Sequence, residues 1–198
     1  MIDKFDLTKQ VKKALTVLTG HRKTEAKCKQ SIKEATFMCK CATSVKGNIV
    51  EIGTAHGGGT ILLCLASPES VVYTIDNRKE YGERSAALIS KYPIKSNKFN
   101  IITGLSEDVA KTWNHGEVDL LFIDGEHWED PVFGDISTWL PHVKQGGLVL
   151  FHDYFEEKDW NGSRWKCGVK KGIDKYMKNN NDLVFVEKKK SMYLMRKV

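Results

Sequence analysis

Short apolar runs alternate with stretches of helical spacing along most of the chain. From residue 48 onward, five β-branched, apolar runs predict strands. These are Asn48–Gly53, Val71–Asp76, Phe99–Ile102, Val118–Asp124 and Leu148–His152, and the helices predicted between them cover 59–66, 79–91, 106–113 and 129–143. Strands that alternate with helices indicate a parallel sheet covered by helices on both faces.

The two ends of the chain add further elements to this pattern. Two N-terminal helices are predicted over 3–19 and 24–45, because apolar residues such as Val11, Leu15 and Leu18 recur at helical spacing. A helix over 168–179 is followed by two strands, Leu183–Glu187 and Met192–Arg196, which a Lys-rich turn joins into an antiparallel hairpin. The fold class is therefore α/β: a doubly wound, seven-stranded, mostly parallel sheet with its last strand antiparallel and with N-terminal helices.

Composition places the protein among ordinary globular domains, with 41% hydrophobic and 28% charged residues over 198 positions. No apolar run is long enough for a membrane span, and the first twenty residues lack the pattern of a signal peptide. The five cysteines are an odd number without paired zinc spacing, so free thiols in a reducing cytoplasm are expected.

Charge is unevenly distributed along the sequence. Residues 1–47 carry +7, residues 48–157 carry −9 and residues 158–198 carry +8. Basic ends could grip nucleic-acid phosphates, or they could form a solvated surface attracted to the acidic middle. We favour the solvated surface, because Lys dominates and no motif for RNA or DNA binding accompanies it.

Chemistry is expected at the carboxyl ends of the strands, where open α/β sheets bind ligands. The first strand ends in a loop with four glycines between Gly53 and Gly59, and such a loop lets the backbone approach a ligand closely. The helix that follows aims free N–H groups at a carboxylate or phosphate. The glycine spacing matches neither a dinucleotide-binding loop nor a P-loop, so a pyrophosphate cofactor is disfavoured.

The next two strands end in polar groups of a different kind. Asp76 follows the second strand, where its carboxylate can accept hydrogen bonds from ribose hydroxyls or cap the next helix. The third strand leads into Gly104-Leu105-Ser106. Ser106 is predicted to be a helix N-cap, and the same turn can lie against an adenine ring.

Three ligand-type residues and a base follow strands four and five. Asp124, His152 and Asp153 come from neighbouring strand ends and can form one face of a metal site. His127, three residues after Asp124, can take a proton from a hydroxyl near neutral pH. The alternative is structural, with Asp124 orienting the next helix and His152 packed in the core.

The order of these motifs resembles class I S-adenosylmethionine-dependent methyltransferases, most closely the small O-methyltransferases of the catechol and macrolide-sugar types. The matching motifs, within residues 47–198, are Glu51-x-Gly53, Asp76, Gly104-x-Ser106, Phe122-Ile123-Asp124-Gly125 and His152-Asp153. The resemblance implies S-adenosylmethionine as cofactor, with its ammonium near Glu51 or Asp124, and methyl transfer to a hydroxyl of a small molecule. It implies a cofactor site formed by Glu51, Gly53, Thr54, Ala55, Gly57, Gly59, Asp76, Gly104, Leu105, Ser106 and Asp124.

In catechol-type relatives an Asp after strand four and a pair after strand five, an acidic residue plus Asn or Asp, bind a divalent cation. A Lys or His three residues after the first metal Asp is the base. Asp124, His152 and Asp153 occupy the metal positions here, and His127 occupies the base position. His152 replaces a carboxylate, so either Mg²⁺ gives way to Mn²⁺, Fe²⁺ or Zn²⁺, or Asp124 and Asp153 bind the cation with waters, or none binds.

Residues 1–46 are expected to form a lid or a dimer contact, since many relatives pair through N-terminal helices. The aromatic segment 154–166, with Tyr154, Phe155, Trp160 and Trp165, is a candidate acceptor lid. Three other hypotheses remain: a nucleic-acid methyltransferase, although base-flipping motifs are absent, a nicotinamide-dependent oxidoreductase, and a non-catalytic protein that binds the cofactor.

Overall fold

The computed structural model describes residues 6–19, 28–156 and 167–198, and within those ranges it contains seven α-helices and seven strands. The helices are α1 (Lys9–Thr19), α2 (Ile32–Thr43), α3 (Gly58–Ala66), α4 (Lys79–Ile89), α5 (Ser106–Lys111), α6 (Glu129–Trp139) and α7 (Val169–Met177). The strands are β1 (Asn48–Ile52), β2 (Val71–Asp76), β3 (Phe99–Thr103), β4 (Val118–Ile123), β5 (Val143–Phe151), β6 (Leu183–Lys189) and β7 (Met192–Lys197).

All seven strands form one sheet in the order β3-β2-β1-β4-β5-β7-β6. The pairings from β3 to β5 are parallel, and β7 is antiparallel to both β5 and β6. The order reverses between β1 and β4, which is the point where doubly wound sheets bind their ligands. The predicted sheet, with one reversed last strand, is confirmed.

Alternate residues of the central strands supply two hydrophobic cores on opposite faces of the sheet, because side chains alternate along a strand. Leu120 and Phe122 pack with α1, α2 and α3, whereas Leu121 and Ile123 pack with α6 and α7. The N-terminal helices thus share a core with the sheet. None of the helices in the described ranges is long and apolar enough to cross a membrane.

Both N-terminal helices begin later than the apolar pattern predicts, because hydrogen-bonding caps set their starts. Thr8 precedes α1 and its side chain accepts from the Val11 amide at 3.3 Å. Ser31 is the N-cap of α2 and forms a reciprocal capping box with Glu34. Residues 1–5 and 20–27, and with them the predicted starts of both N-terminal helices, lie outside the described ranges.

The segment between α6 and β5 also differs from the prediction. Helix α6 ends at Trp139 instead of extending to residue 143, because Pro141 has no N–H to continue it and a short 3₁₀ turn follows. Strand β5 begins at Val143, five residues earlier than predicted, and Val143 pairs with Val118 before an irregularity in the β4–β5 pairing.

One buried contact joins α2 to the turn between β6 and β7. The Glu34 carboxylate accepts hydrogen bonds from the Ser191 hydroxyl at 2.6 Å and the Ser191 amide at 3.2 Å. The Ser191 carbonyl in turn accepts from the Tyr154 amide at 2.9 Å, just after the end of β5. The first and last parts of the sheet domain are therefore tied together beside the strand end that carries His152 and Asp153.

Candidate active site

Hydrogen bonds hold the ends of four neighbouring strands level with one another. The Gly53 amide donates to the Ile75 carbonyl at 2.8 Å, the Asp124 amide to Ile52 at 2.9 Å, and the His152 amide to Ile123 at 3.1 Å. The loops after β1, β2, β4 and β5 consequently open at the same edge of the sheet.

A cavity of about 510 Å³ lies at this edge. It is lined by every residue of the predicted cofactor site except Gly57, and by the predicted catalytic and metal residues, so the structure brings together Glu51, Gly53, Thr54, Ala55, Gly59, Asp76, Gly104, Leu105, Ser106, Asp124, His127, His152 and Asp153. Gly57 is the N-cap residue of α3, and a Cβ there would meet Ser85.

The loop after β1 needs glycine at two positions for separate reasons. Gly53 has φ of +99°, and a Cβ there would meet the Asp124 carbonyl. At Gly59 a Cβ would meet the Glu51 carboxylate, so this glycine lets helix α3 start directly over a buried acid. The glycine-rich pattern thus reflects both backbone conformation and close approach.

Glu51 is buried beneath this loop. Its Oε2 accepts hydrogen bonds from the hydroxyls of Thr60, at 2.5 Å, and Thr74, at 2.7 Å. Burial raises the pKa of Glu51 to about 8, although these two hydrogen bonds oppose the shift. Glu51 therefore supports the loop as a largely neutral acid at pH 7.

Asp76 holds the glycine loop in place while facing the cavity. Its Oδ2 accepts from the Ala55 amide and its Oδ1 from the Arg78 amide, each at 3.0 Å. The N-cap residue of α4 is Arg78, so Asp76 orients the start of that helix without being its N-cap. A carboxylate has about four acceptor sites, which leaves room for two ligand hydroxyls.

Ser106 is not the N-cap of α5 as predicted. Leu105 is the N-cap residue, and Ser106 is the first residue of the helix. The Ser106 hydroxyl instead donates to the carboxylate of Asp135, which lies on α6 and also lines the cavity. The N-cap prediction fails because a buried acceptor 29 residues away competes for the hydroxyl.

At the other end of the cavity, two carboxylates and two imidazoles form a closed ring. His152 Nδ1 is 2.8 Å from Asp124 Oδ1, and His152 Nε2 is 3.5 Å from Asp153 Oδ1. His127 Nε2 is 3.3 Å from Asp124 Oδ1, and His127 Nδ1 is 3.3 Å from Asp153 Oδ2. We call Asp124, His127, His152 and Asp153 the Asp–His ring.

Electrostatics within the Asp–His ring favour charged partners. Burial opposes the ionisation of Asp124, but the imidazoles of His152 and His127 lower its pKa to about 2. Burial likewise opposes the protonation of His152, but Asp124, Asp153 and Glu34 raise its pKa to about 9. Burial raises the pKa of Asp153 against the effect of the same two imidazoles.

The ring offers a metal ion a different set of ligands from the predicted one. Ligand atoms of Asp124, His127 and His152 all lie within 4.8 Å of one another. In this triple His127 is the third ligand, whereas the predicted set has Asp153 as the third. The Asp153 carboxylate instead faces His127 Nδ1 and His152 Nε2. Two imidazoles and carboxylates suit Mn²⁺, Fe²⁺ or Zn²⁺ better than Mg²⁺, so the donor set fits a transition-metal dication.

Sequence reasoning missed Asp135, described above, and it also missed Gln30. Its side chain is buried, and its Nε2 donates to Asp124 Oδ2. Its Oε1 accepts from the Cys28 thiol at 2.6 Å. The only sequence signal nearby is the capping box that begins at Ser31, which places the residues just before it at a helix start.

Aromatic residues of the candidate lid have a different role where they are described. Tyr154 is buried and stacks on Tyr193 with ring centroids 4.0 Å apart. Phe155 is 38% exposed and does not line the cavity. Trp160 and Trp165 lie outside the described ranges.

Comparison with known proteins identifies the family. A family model described as "Methyltransferase domain" matches residues 50–154, more than half of the chain. The protein therefore belongs to this methyltransferase family, as its resemblance to class I methyltransferases predicts.

Individual relatives are distant. Uncharacterized protein R132 of Acanthamoeba polyphaga mimivirus is 28% identical over 138 residues, which cover 64% of this chain and 57% of that protein. The chain spans about half the length of the curated relatives it matches.

Solved structures share the fold over nearly the whole chain. The O-methyltransferase TomG from Streptomyces achromogenes, involved in tomaymycin synthesis and solved with S-adenosylmethionine, superposes with a TM-score of 0.70 at 16% identity, covering 98% of this chain and 91% of its own. The O-methyltransferase NovP gives 0.72 at 18% identity, covering 94% and 97%. At these identities the likeness shows the fold.

Proposed function

We propose that this protein transfers the methyl group of S-adenosylmethionine to a hydroxyl of a small-molecule acceptor. The proposal rests on one observation: the glycine loop, Asp76 and the Asp–His ring all line the same cavity. S-adenosylmethionine or S-adenosylhomocysteine is bound in several structures of the same fold, including TomG.

The order of the strands indicates which end of the cofactor lies at which end of the cavity. From β3 through β2 and β1 to β4, the cavity offers the Gly104–Ser106 turn, the Asp76 carboxylate, the glycine loop and then the Asp–His ring. Adenine, ribose and the methionine moiety fit this sequence of groups. The sulfonium methyl then points toward the ring, where the acceptor hydroxyl must lie for in-line transfer.

Within the ring, His127 is the proton acceptor in this proposal. His152 already carries its second proton at neutral pH because its pKa is raised to about 9, and its side chain is only 7% exposed. The His127 side chain is 19% exposed and lines the cavity. Asp153 Oδ2 accepts from His127 Nδ1–H, so Nε2 takes the hydroxyl proton and the resulting cation faces Asp124.

A divalent cation extends the proposal, with Asp124, His152 and Asp153 as its ligands; its binding would displace the second proton from His152, because only a neutral imidazole can ligate a metal. Such an ion would lower the pKa of the acceptor hydroxyl. The Asp124–His127–His152 triple shares two of these ligands, and it would make His127 a ligand instead of a base. Metal titration of Asp153→Asn and His127→Ala separates the two sets, because only the true third ligand weakens binding when removed.

Calorimetric titration with S-adenosylhomocysteine tests the cofactor assignment directly. We expect binding in the micromolar range, about −8 kcal/mol, and no heat with NADH under the same conditions. Repeating the titration with Mn²⁺, Mg²⁺ or EDTA tests the cation. Binding of NADH in place of S-adenosylhomocysteine would contradict the proposal, and turnover unaffected by EDTA would remove the cation from it.

Acceptor, assembly and location complete the proposal. Screening catechols and sugar hydroxyls for production of S-adenosylhomocysteine identifies the acceptor class, and light scattering tests whether the chain forms a homodimer. We propose a cytoplasmic location because all five cysteines are free thiols, four of them buried.

A further inference from the structure

One buried carboxylate in the cavity has no role in the methyl transfer described above. Asp135 lies on α6, is only 4% exposed and lines the cavity. Ser106 is the one hydrogen-bond partner that the described residues give its carboxylate, and it binds a single oxygen, Oδ1. The other oxygen, Oδ2, is left for a ligand.

Packing fixes this carboxylate and its serine partner in place. The indole N–H of Trp139, a fully buried residue one helical turn after Asp135, donates to the Ser106 carbonyl at 3.1 Å. Ser106 is therefore held through both its hydroxyl and its backbone, and α5 is joined to α6 at this point. A fixed acceptor can select between ligands, because it does not move to satisfy a wrong one.

The pair lies where the base of an adenosyl group would be. The Gly104 amide donates to the Asp76 carbonyl at 3.0 Å, so the turn before Ser106 adjoins the proposed ribose carboxylate. Strand β3 is next to β2 on the side away from β4. A nucleoside whose ribose contacts Asp76, with its other end toward the Asp–His ring, extends its base toward Ser106 and Asp135.

We propose that Asp135 Oδ2 accepts a hydrogen bond from the 6-amino group of adenine, and that the Ser106–Asp135 pair thereby selects adenine over 6-oxopurines. The inference rests on the proposed cofactor. The amino group of adenine donates to the carboxylate oxygen. The 6-oxo group of hypoxanthine is itself an acceptor, so the carboxylate oxygen and the 6-oxo oxygen would both lack a donor.

Three other carboxylates, Glu107, Asp108 and Glu126, line the cavity near this corner and are less suited to the role because all three are exposed. The Glu107 carboxylate lies against the backbone of Gly134 on α6. Burial raises the pKa of Asp135 to about 7. Only the carboxylate form rejects a 6-oxo group, because a protonated Asp135 could donate to it, so the binding measurements are made at about pH 8.5.

Binding of three cofactor-product analogues tests this inference without an acceptor. Calorimetry compares S-adenosylhomocysteine, its 6-oxo analogue S-inosylhomocysteine and its 7-deaza analogue, which keeps the 6-amino group. For the unmodified protein we expect the 6-oxo analogue to bind about a hundredfold more weakly, since a buried acceptor is left unpaired. The 7-deaza analogue should bind about as well as S-adenosylhomocysteine.

The decisive variant is Asp135→Asn, which keeps the shape of the side chain. A carboxamide can present either its oxygen or its NH₂, so the preference for adenine should fall below about tenfold. Glu107→Gln is the matched control and should keep the full preference. Thermal unfolding of both variants checks that they are folded.

An unchanged preference in Asp135→Asn, or its loss in Glu107→Gln instead, would overturn the inference while leaving the proposed cofactor intact. A purely structural role for Asp135 would weaken all three analogues equally. Failure of the unmodified protein to bind S-adenosylhomocysteine would overturn the proposed function, and this inference with it.

Discussion

The two ends of the cavity present different chemical groups, backbone at one and ionisable side chains at the other. At the cofactor end the glycine loop presents backbone, and the buried acid beneath it, Glu51, is satisfied by two hydroxyls. At the other end four ionisable side chains satisfy one another in the Asp–His ring. The first end is suited to hold a ligand in one pose. The second can exchange protons, because its groups already share them.

The largest expected effect is a loss of turnover, without a matching loss of cofactor affinity, when the ring end is altered. His127→Ala should lower the rate of methyl transfer by two to four orders of magnitude, roughly what a general base contributes. The affinity for S-adenosylhomocysteine should stay within about threefold, because His127 is not at the cofactor end. Single-turnover kinetics and calorimetry measure the two quantities. Lost affinity with normal turnover of the bound cofactor would reject the base assignment.

Asp76→Ala should show the reverse separation. Removing the carboxylate takes away the two proposed ribose hydrogen bonds and the acceptor of the Ala55 amide. We expect affinity for S-adenosylhomocysteine to fall about a hundredfold. Glu80→Ala, an exposed acid on the following helix, is the control and should bind normally. Equal affinities in the two variants would show that Asp76 does not contact the ligand.

Gln30→Leu tests whether the ring depends on the N-terminal segment. The change removes the donor to Asp124 Oδ2 inside a buried ionic network. We expect the free energy of unfolding to fall by about 1.5–3 kcal/mol, as for hydrogen bonds to charged groups. Urea denaturation measures it, with the exposed neighbour in Lys29→Ala as the control. A loss no larger than that of the control would mean that the ring holds its geometry alone.

Glu51→Gln probes the cofactor end through pH. The pKa of Glu51 is raised in the folded protein, so the folded state binds more protons between about pH 4.5 and 8. Glu51 therefore costs stability increasingly as pH rises through that window, by up to about 1.4 kcal/mol per pH unit. The difference in Tm, Glu51→Gln minus the unmodified protein, should therefore increase from pH 5 to pH 9. A constant difference would contradict the raised pKa.

The sequence predicts which residues line both ends of the cavity better than it predicts how those residues are partnered. Glycines such as Gly53 reveal a backbone requirement by residue type alone, and the strand ends place Asp76 beside them. Gln30 and Asp135 give no such signal, since each matters through a partner 29 or more residues away. The N-cap prediction for Ser106 failed for the same reason. Local propensity identifies available hydrogen-bonding groups, and tertiary contacts choose among their partners.

The bond between Glu34 and Ser191 has a practical consequence for anyone handling the protein. Trimming the chain past α2 would leave the Ser191 hydroxyl and amide without their acceptor, and trimming the final hairpin would leave Glu34 Oε1 without its two donors. Either cut would also loosen Tyr154, next to the histidine-bearing strand end. Shortened versions meant for crystallisation or fusion should therefore retain both partners.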